Sequence, residues 1–133
     1  MQILILDGQG GQLGAELVKA VAAACPTARL TAIGTNAAAT AAMRRAGAEH
    51  CATGENPVVV ACRQADVILG PIGIVIADAM LGEVTPAMAT AVGQAQAVRI
   101  LIPVNRCDNL VAGIGQTSLR LLLEDAVAKL CAI

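Results

Sequence analysis

Short apolar runs alternate with longer stretches of helical spacing along the chain. Gln2–Leu6 is a β-branched and leucine run closed by Asp7-Gly8, the pattern of a buried strand. Leu13, Leu17, Val18 and Val21 then recur at helical spacing, and Pro26 ends that helix. Leu30–Ile33 is a second strand. Asn36 reads as the N-cap of an alanine-rich helix, Ala37–Ala46, with Gly47 at its C′ position. Ala48–Ala52 is a weak third strand. Asn56-Pro57 reads as N-cap and N1 of a short helix to about Gln64, although Val58–Val60 argues for a strand. Val67–Leu69 is a fourth strand, followed by a loop at Gly70–Gly73 and a helical segment over Ile74–Leu81. Thr85-Pro86 opens a helix to about Ala97, and Arg99–Val104 is a fifth strand. Leu110–Ile114 is an option for a sixth, antiparallel edge strand. Gln116/Thr117 opens a last helix, with Leu119, Leu122, Leu123, Ala126, Val127 and Leu130 on its buried side.

Strand and helix alternate, and the strand runs are apolar throughout. Strands covered on both faces have this composition. With right-handed crossovers the expected fold is α/β: one doubly wound, Rossmann-like domain over 1–133. Its five strands form a mostly parallel sheet, with helices on both faces.

The pattern also places the polar clusters. In such sheets, ligands bind beyond the carboxyl ends of the strands. Gly8–Gly14 follows the first strand, Thr35-Asn36 the second, Thr53-Gly54-Glu55-Asn56 the third, Gly70-Pro71-Ile72-Gly73 the fourth and Asn105-Arg106 the fifth. The first cluster carries the strongest motif. Gly8, Gly11 and Gly14 make G-x-x-G-x-x-G, Gly8 and Gly10 make G-x-G, and both lie between a strand and a helix. Glycines there let backbone N–H groups approach a phosphate, and the helix N-terminus favours an anion. Gly8, Gln9, Gly10, Gly11, Gln12 and Gly14 are therefore candidate ligand residues, with the four later clusters completing one crevice. The ribose-reading position at the end of the second strand normally carries Asp or Glu in NAD enzymes. Thr35 and Asn36 stand there, so NAD(H), NADP(H), a mononucleotide and another small phosphorylated molecule all stay open as ligands. The bland readings are a glycine-rich connection, an Asn36 that only caps a helix, and a solvated Arg106.

Composition removes other classes. The 133 residues carry nine basic and ten acidic groups, which leaves no basic excess for nucleic acid. No Phe, Tyr or Trp is present, so bases have no ring to stack on. The longest uncharged apolar run, Val67–Ala77, is far short of the ~20 residues a spanning helix needs and contains Gly70, Pro71 and Gly73. The expected location is the cytoplasm, with no membrane partner. Five widely spaced cysteines without C-x-x-C suggest reduced thiols, and His50 has no ligand spacing to any of them, so no metal is expected. Asp7 and Glu55 are the carboxylates placed to act as a general base. A turn-forming Asp7 and an exposed Glu55 at a helix start are the structural readings.

The stretches DGQGGQLG (7–14), GTN (34–36), ATGEN (52–56), ADVILGPIGIVIADAMLGEVTPAMATAVG (65–93) and ILIPVNRC (100–107) resemble a small bacterial family of unknown function. Its single-domain members match from end to end. The resemblance implies a Rossmann-like fold and one shared crevice, and no established reaction.

Three functions fit these residues. One is a nucleotide- or dinucleotide-binding module with a sensor, regulatory or accessory role. Another is a small NAD(P)-dependent oxidoreductase whose site a second subunit completes. The third is a structural or assembly protein without ligand. Ile72, Ile74, Val75, Ile76, Met80, Val84, Met88 and Val92 exceed what a small sheet needs to cover, which predicts a homo-oligomer through the 72–92 region.

Overall fold

The computed structural model describes residues 1–104 and 109–133. Five parallel strands form one sheet: β1 (Gln2–Asp7), β2 (Arg29–Gly34), β3 (His50–Thr53), β4 (Val67–Pro71) and β5 (Val98–Ile102). Their order is β3-β2-β1-β4-β5. The helices are α1 (Gln12–Ala24), α2 (Ala37–Arg45), α3 (Glu55–Cys62), α4 (Pro86–Gln94) and α5 (Leu119–Cys131). The α/β fold read from the pattern is the fold observed.

Each face of the sheet has its own core. Ile3, Ile5, Val67 and Leu69 point to α1 and α5, where Leu17, Val18, Val21, Ala126 and Leu130 meet them. Leu4, Leu6 and Ile68 point the other way, to Val58, Val84, Met88 and Val92. Alternate residues of one strand serve opposite cores, so β1 and β4 are apolar at every position from Ile3 to Leu6 and from Val67 to Leu69. The chain crosses from one side of β1 to the other between β3 and β4. The carboxyl ends of β1 and β4 therefore flank the topological switch point.

Four local expectations need correction. Ile72–Val75 is a single 3-10 turn, and no α-helix forms over Ile74–Leu81. The run Ile72, Ile74, Val75, Ile76 is β-branched and helix-averse, and burial of Ile74 fixes it in the core. The following turns put Asp78, Met80 and Leu81 at positive φ (66°, 58° and 57°). The N-cap of α3 is Gly54 (φ 100°) rather than Asn56, so Pro57 sits in the first turn, where its missing N–H leaves no bond unmade. Leu110–Ile114 forms no strand; Leu110 is 94% exposed and Gly113 turns the chain at φ 84°. Finally, Ile74, Val84, Met88 and Val92 are buried in the chain's own core. Half of the apolar surplus expected of the 72–92 region is thus absorbed internally, while Ile72, Val75, Ile76 and Met80 are half-buried and Leu81 is 98% exposed.

No described helix is long and apolar enough to cross a membrane.

Candidate functional site

β1 ends in Asp7, the one buried charged residue among those described, at 5% exposure. Its Oδ1 accepts the Gly8 N–H at 2.8 Å and its Oδ2 accepts the Gly14 N–H at 2.7 Å. The N-cap of α1 is Gly11, which has no side chain to cap with. Asp7 does that work from the end of the preceding strand. Burial pushes the Asp7 carboxyl up, the Gly14 and Gly8 amides pull it down, and the charge of Glu83 pushes it up again; the net direction is upward. With both oxygens committed to backbone amides, Asp7 is a loop-closing residue and not a free general base.

The loop turns tightly. Gly11 donates to the Gly8 carbonyl at 2.9 Å, with Gln9 at φ 51° between them. The positive φ of Gln9 is held from both sides. Its N–H donates to Glu83 Oε1 at 2.8 Å, and its carbonyl accepts from Asn36 Nδ2 at 3.0 Å.

Glu83 is the residue that sequence reading missed. Its Oε1 accepts three bonds: from the Gln9 N–H, from Thr35 Oγ1 at 2.6 Å and from Asn36 Nδ2 at 2.7 Å. Burial raises its pKa, but the bonds from Thr35, Gln9 and Asn36 outweigh this and hold it below the usual carboxylate range. The carboxylate absent from the end of β2 is thus supplied by a segment 47 and 48 residues away in sequence. Asn36 also caps α2, its Oδ1 accepting the Ala39 N–H at 2.9 Å.

A cavity of about 160 Å³ opens beside the glycine loop. Asp7, Gly8, Gln9, Gly10, Gly11, Gln12, Leu13, Pro71, Met80 and Val104 line it. Larger hollows lie elsewhere, such as the one of about 550 Å³ walled by Leu119, Leu123 and Val127 of α5 against α1, but no polar groups converge there from the strand ends.

The predicted site residues fall into six groups. Gly8, Gln9, Gly10, Gly11, Gln12 and Pro71 meet at the small cavity. Thr35 and Asn36 stand beside them in the Glu83 cluster. Gly14 and Gly70 are packing residues: a Cβ on Gly14 would lie 2.8 Å from Asp7 Cβ, and one on Gly70 would strike the Leu6 carbonyl. Gly73 lies beneath Ala79 and Met80, while Ile72 faces a separate groove along β5. Thr53, Gly54, Glu55 and Asn56 are not brought into the crevice. Thr53 pairs with Thr40 at 2.7 Å, and Glu55 and Asn56 are exposed in the first turn of α3. Asn105 and Arg106 lie outside the described residues.

No curated protein shows significant sequence similarity to the chain. Among solved structures, it is similar to the crystal structure of a dodecameric FMN-dependent Ubix-like decarboxylase from Escherichia coli O157:H7. Identity is 12%, the TM-score is 0.47, and the match covers 99% of this chain and 92% of that one. The expectation of NAD or NADP is corrected. The cofactor in that description is FMN. The groups at the ribose position, moreover, are already bonded to Glu83. Over residues 2–133 the sequence matches the family described as Domain of unknown function (DUF3842), and the chain belongs to that family.

Proposed function

We propose that the chain is a binding module for a small phosphorylated ligand, seated phosphate-first in the cavity between the glycine loop and the end of β4. The observation that carries this reading is Gly10. The other glycines of the loop have reasons inside the protein. A Cβ on Gly8 would meet Thr35 Oγ1 at 2.6 Å; Gly11 has φ 75° and the Ala39 backbone 2.7 Å away; Gly14 faces Asp7. A Cβ on Gly10 meets nothing within 4 Å, and its φ is not positive. Neither packing nor backbone conformation asks for glycine there, whereas a ligand approaching the backbone does.

The donors support the same reading. Among the described residues, the amides of Gly10, Gln12 and Leu13 have no acceptor in the chain. All three residues line the cavity, the last two at the positive end of a 13-residue helix. The volume suits a phosphate with a short attachment, the bulk of the ligand extending outward. Asp7 is tied to the loop amides and offers no catalytic pair, which favours a sensor or accessory role.

The test is a thermal-shift series with inorganic phosphate, ribose 5-phosphate, AMP and FMN on the wild type and on Gly10→Ala. A ligand at about 100 times its Kd stabilises by ~2.7 kcal/mol. The expected result is stabilisation of the wild type by at least one phosphate compound. Gly10→Ala is expected to keep the unliganded Tm and lose the response. An equal response from both proteins, or none from the wild type at millimolar ligand, overturns the reading.

A further inference from the structure

We propose that the donors now gripping Glu83 form a carboxylate-binding subsite at the carboxyl ends of β1 and β2, which the chain keeps closed with its own side chain. The donors are the Gln9 N–H, Thr35 Oγ1 and Asn36 Nδ2, and all three converge on one oxygen, Glu83 Oε1. The subsite adjoins the phosphate cavity, whose lining also includes Gln9 and Met80 of the strap.

Bonds other than those to Glu83 also hold the cradle. Asn36 is anchored by the Ala39 N–H on Oδ1, and its Nδ2 is shared with the Gln9 carbonyl. The Thr35 N–H donates to the Asp7 carbonyl at 2.9 Å. The Gly11 N–H closes the turn around Gln9. Removing the Glu83 carboxylate leaves three fixed donors aimed at one point, and a preorganised set of that kind recognises an anion.

The carboxylate that fills the cradle is a tethered visitor. It arrives on the strap 76–84, whose base is held by buried Ala79 and Val84. Its tip is folded on itself, the Gly82 N–H donating to the Asp78 carbonyl at 3.0 Å and the Glu83 N–H to the Met80 carbonyl at 3.2 Å, with Leu81 98% exposed and Asp78, Met80 and Leu81 all at positive φ. Three such residues in one short segment persist only where other contacts enforce them. Among the described residues, Glu83 Oε2 has no donor. A brace between loops gains most by engaging both oxygens, whereas this contact uses one. An incoming carboxylate that takes the three donors replaces one negative charge by another. It frees the Glu83 side chain and the strap that carries it. Monodentate, three-donor geometry suits a carboxylate attached to a small molecule or a chain terminus.

The test uses Glu83→Ala, with sodium formate and sodium acetate titrated at constant ionic strength. The expected result is a saturable rise in Tm for Glu83→Ala at low formate and a response in the wild type only at much higher formate, because its own carboxylate competes at high local concentration. Adding Thr35→Val to Glu83→Ala is expected to weaken apparent formate affinity roughly tenfold, the scale of one hydrogen bond to a charged group. A formate response shared equally by wild type and Glu83→Ala, or unchanged by Thr35→Val, overturns the proposal. A response of Glu83→Ala to inorganic phosphate that Thr35→Val weakens as much as it weakens the formate response overturns the carboxylate assignment. Should Glu83→Ala fail to fold, amide exchange on the wild type decides. With formate, residues 76–84 exchange faster while the Gln9 amide stays protected. No change in the strap, or loss of protection at Gln9, is the contrary outcome.

Discussion

Gly10 and Gly11 are neighbours with opposite requirements. Gly11 holds φ 75° with the Ala39 backbone 2.7 Å from any Cβ placed there. Left-handed backbone costs an L-residue ~1–2 kcal/mol before any clash is counted. Gly11→Ala is therefore expected to lose more than about 2 kcal/mol of stability, whereas Gly10→Ala stays within about 0.5 kcal/mol. Urea unfolding of both variants measures the difference. A motif read as letters treats the two glycines alike; the left-handed backbone of Gly11 and the position of α2 separate them. The cysteines divide just as sharply. Burial pushes the Cys62 thiol up to about 11, while Cys131 is exposed at the end of α5. Iodoacetamide near pH 8 is expected to modify Cys131 in the native protein and Cys62 only after unfolding, as read by peptide mass.

At the scale of elements, the caps were legible wherever the signal was local. Thr85 caps α4 by accepting the Met88 N–H at 3.1 Å, with Pro86 at the first helical position, as the dipeptide suggests. Thr85→Ala is expected to cost ~1 kcal/mol, the usual size of a lost N-cap. A thermal midpoint unchanged by that substitution contradicts the role. Asn36 and Gly47 bound α2 as expected. Legibility stopped where neighbours in space decide. Asn56-Pro57 imitates a helix start, but the chain enters α3 two residues earlier because Gly54 supplies φ 100°. Ile74–Leu81 has helical apolar spacing, yet burial of Ile74 and Ala79 on the second core shapes it into turns. In the candidate site, the glycine loop and the Thr35-Asn36 end of β2 were visible in sequence, and so was the lack of a carboxylate there. The residue that supplies one was not visible. Glu83 lies in a segment read as a loop between helices, and nothing local to it points to β2.

The whole molecule brings these parts under one pH dependence. The sheet order places the ends of β1 and β2 side by side, and the strap carries Glu83 across both, so a single carboxylate joins three loops. Its folded pKa lies below the unfolded value. Its stabilising contribution is therefore present above the unfolded pKa and is lost as pH falls through the folded one. Asp7 acts in the opposite sense. Its folded pKa is raised, so its favourable contribution exists at low pH and is lost as pH rises through that value. The two trends overlap in a simple acid titration of the wild type. Glu83→Gln separates them, because Asp7 is common to both proteins and largely cancels in the difference. The expected result is a wild type more stable than Glu83→Gln at pH 6.5. The gap should begin to close near the ordinary glutamate pKa of about 4.3 and disappear further into acid. Urea midpoints of both proteins at stepped pH measure it. A gap that stays constant from pH 6.5 to pH 3 shows that the Glu83 charge does not join the loops; one that widens in acid reverses the direction of its pKa shift.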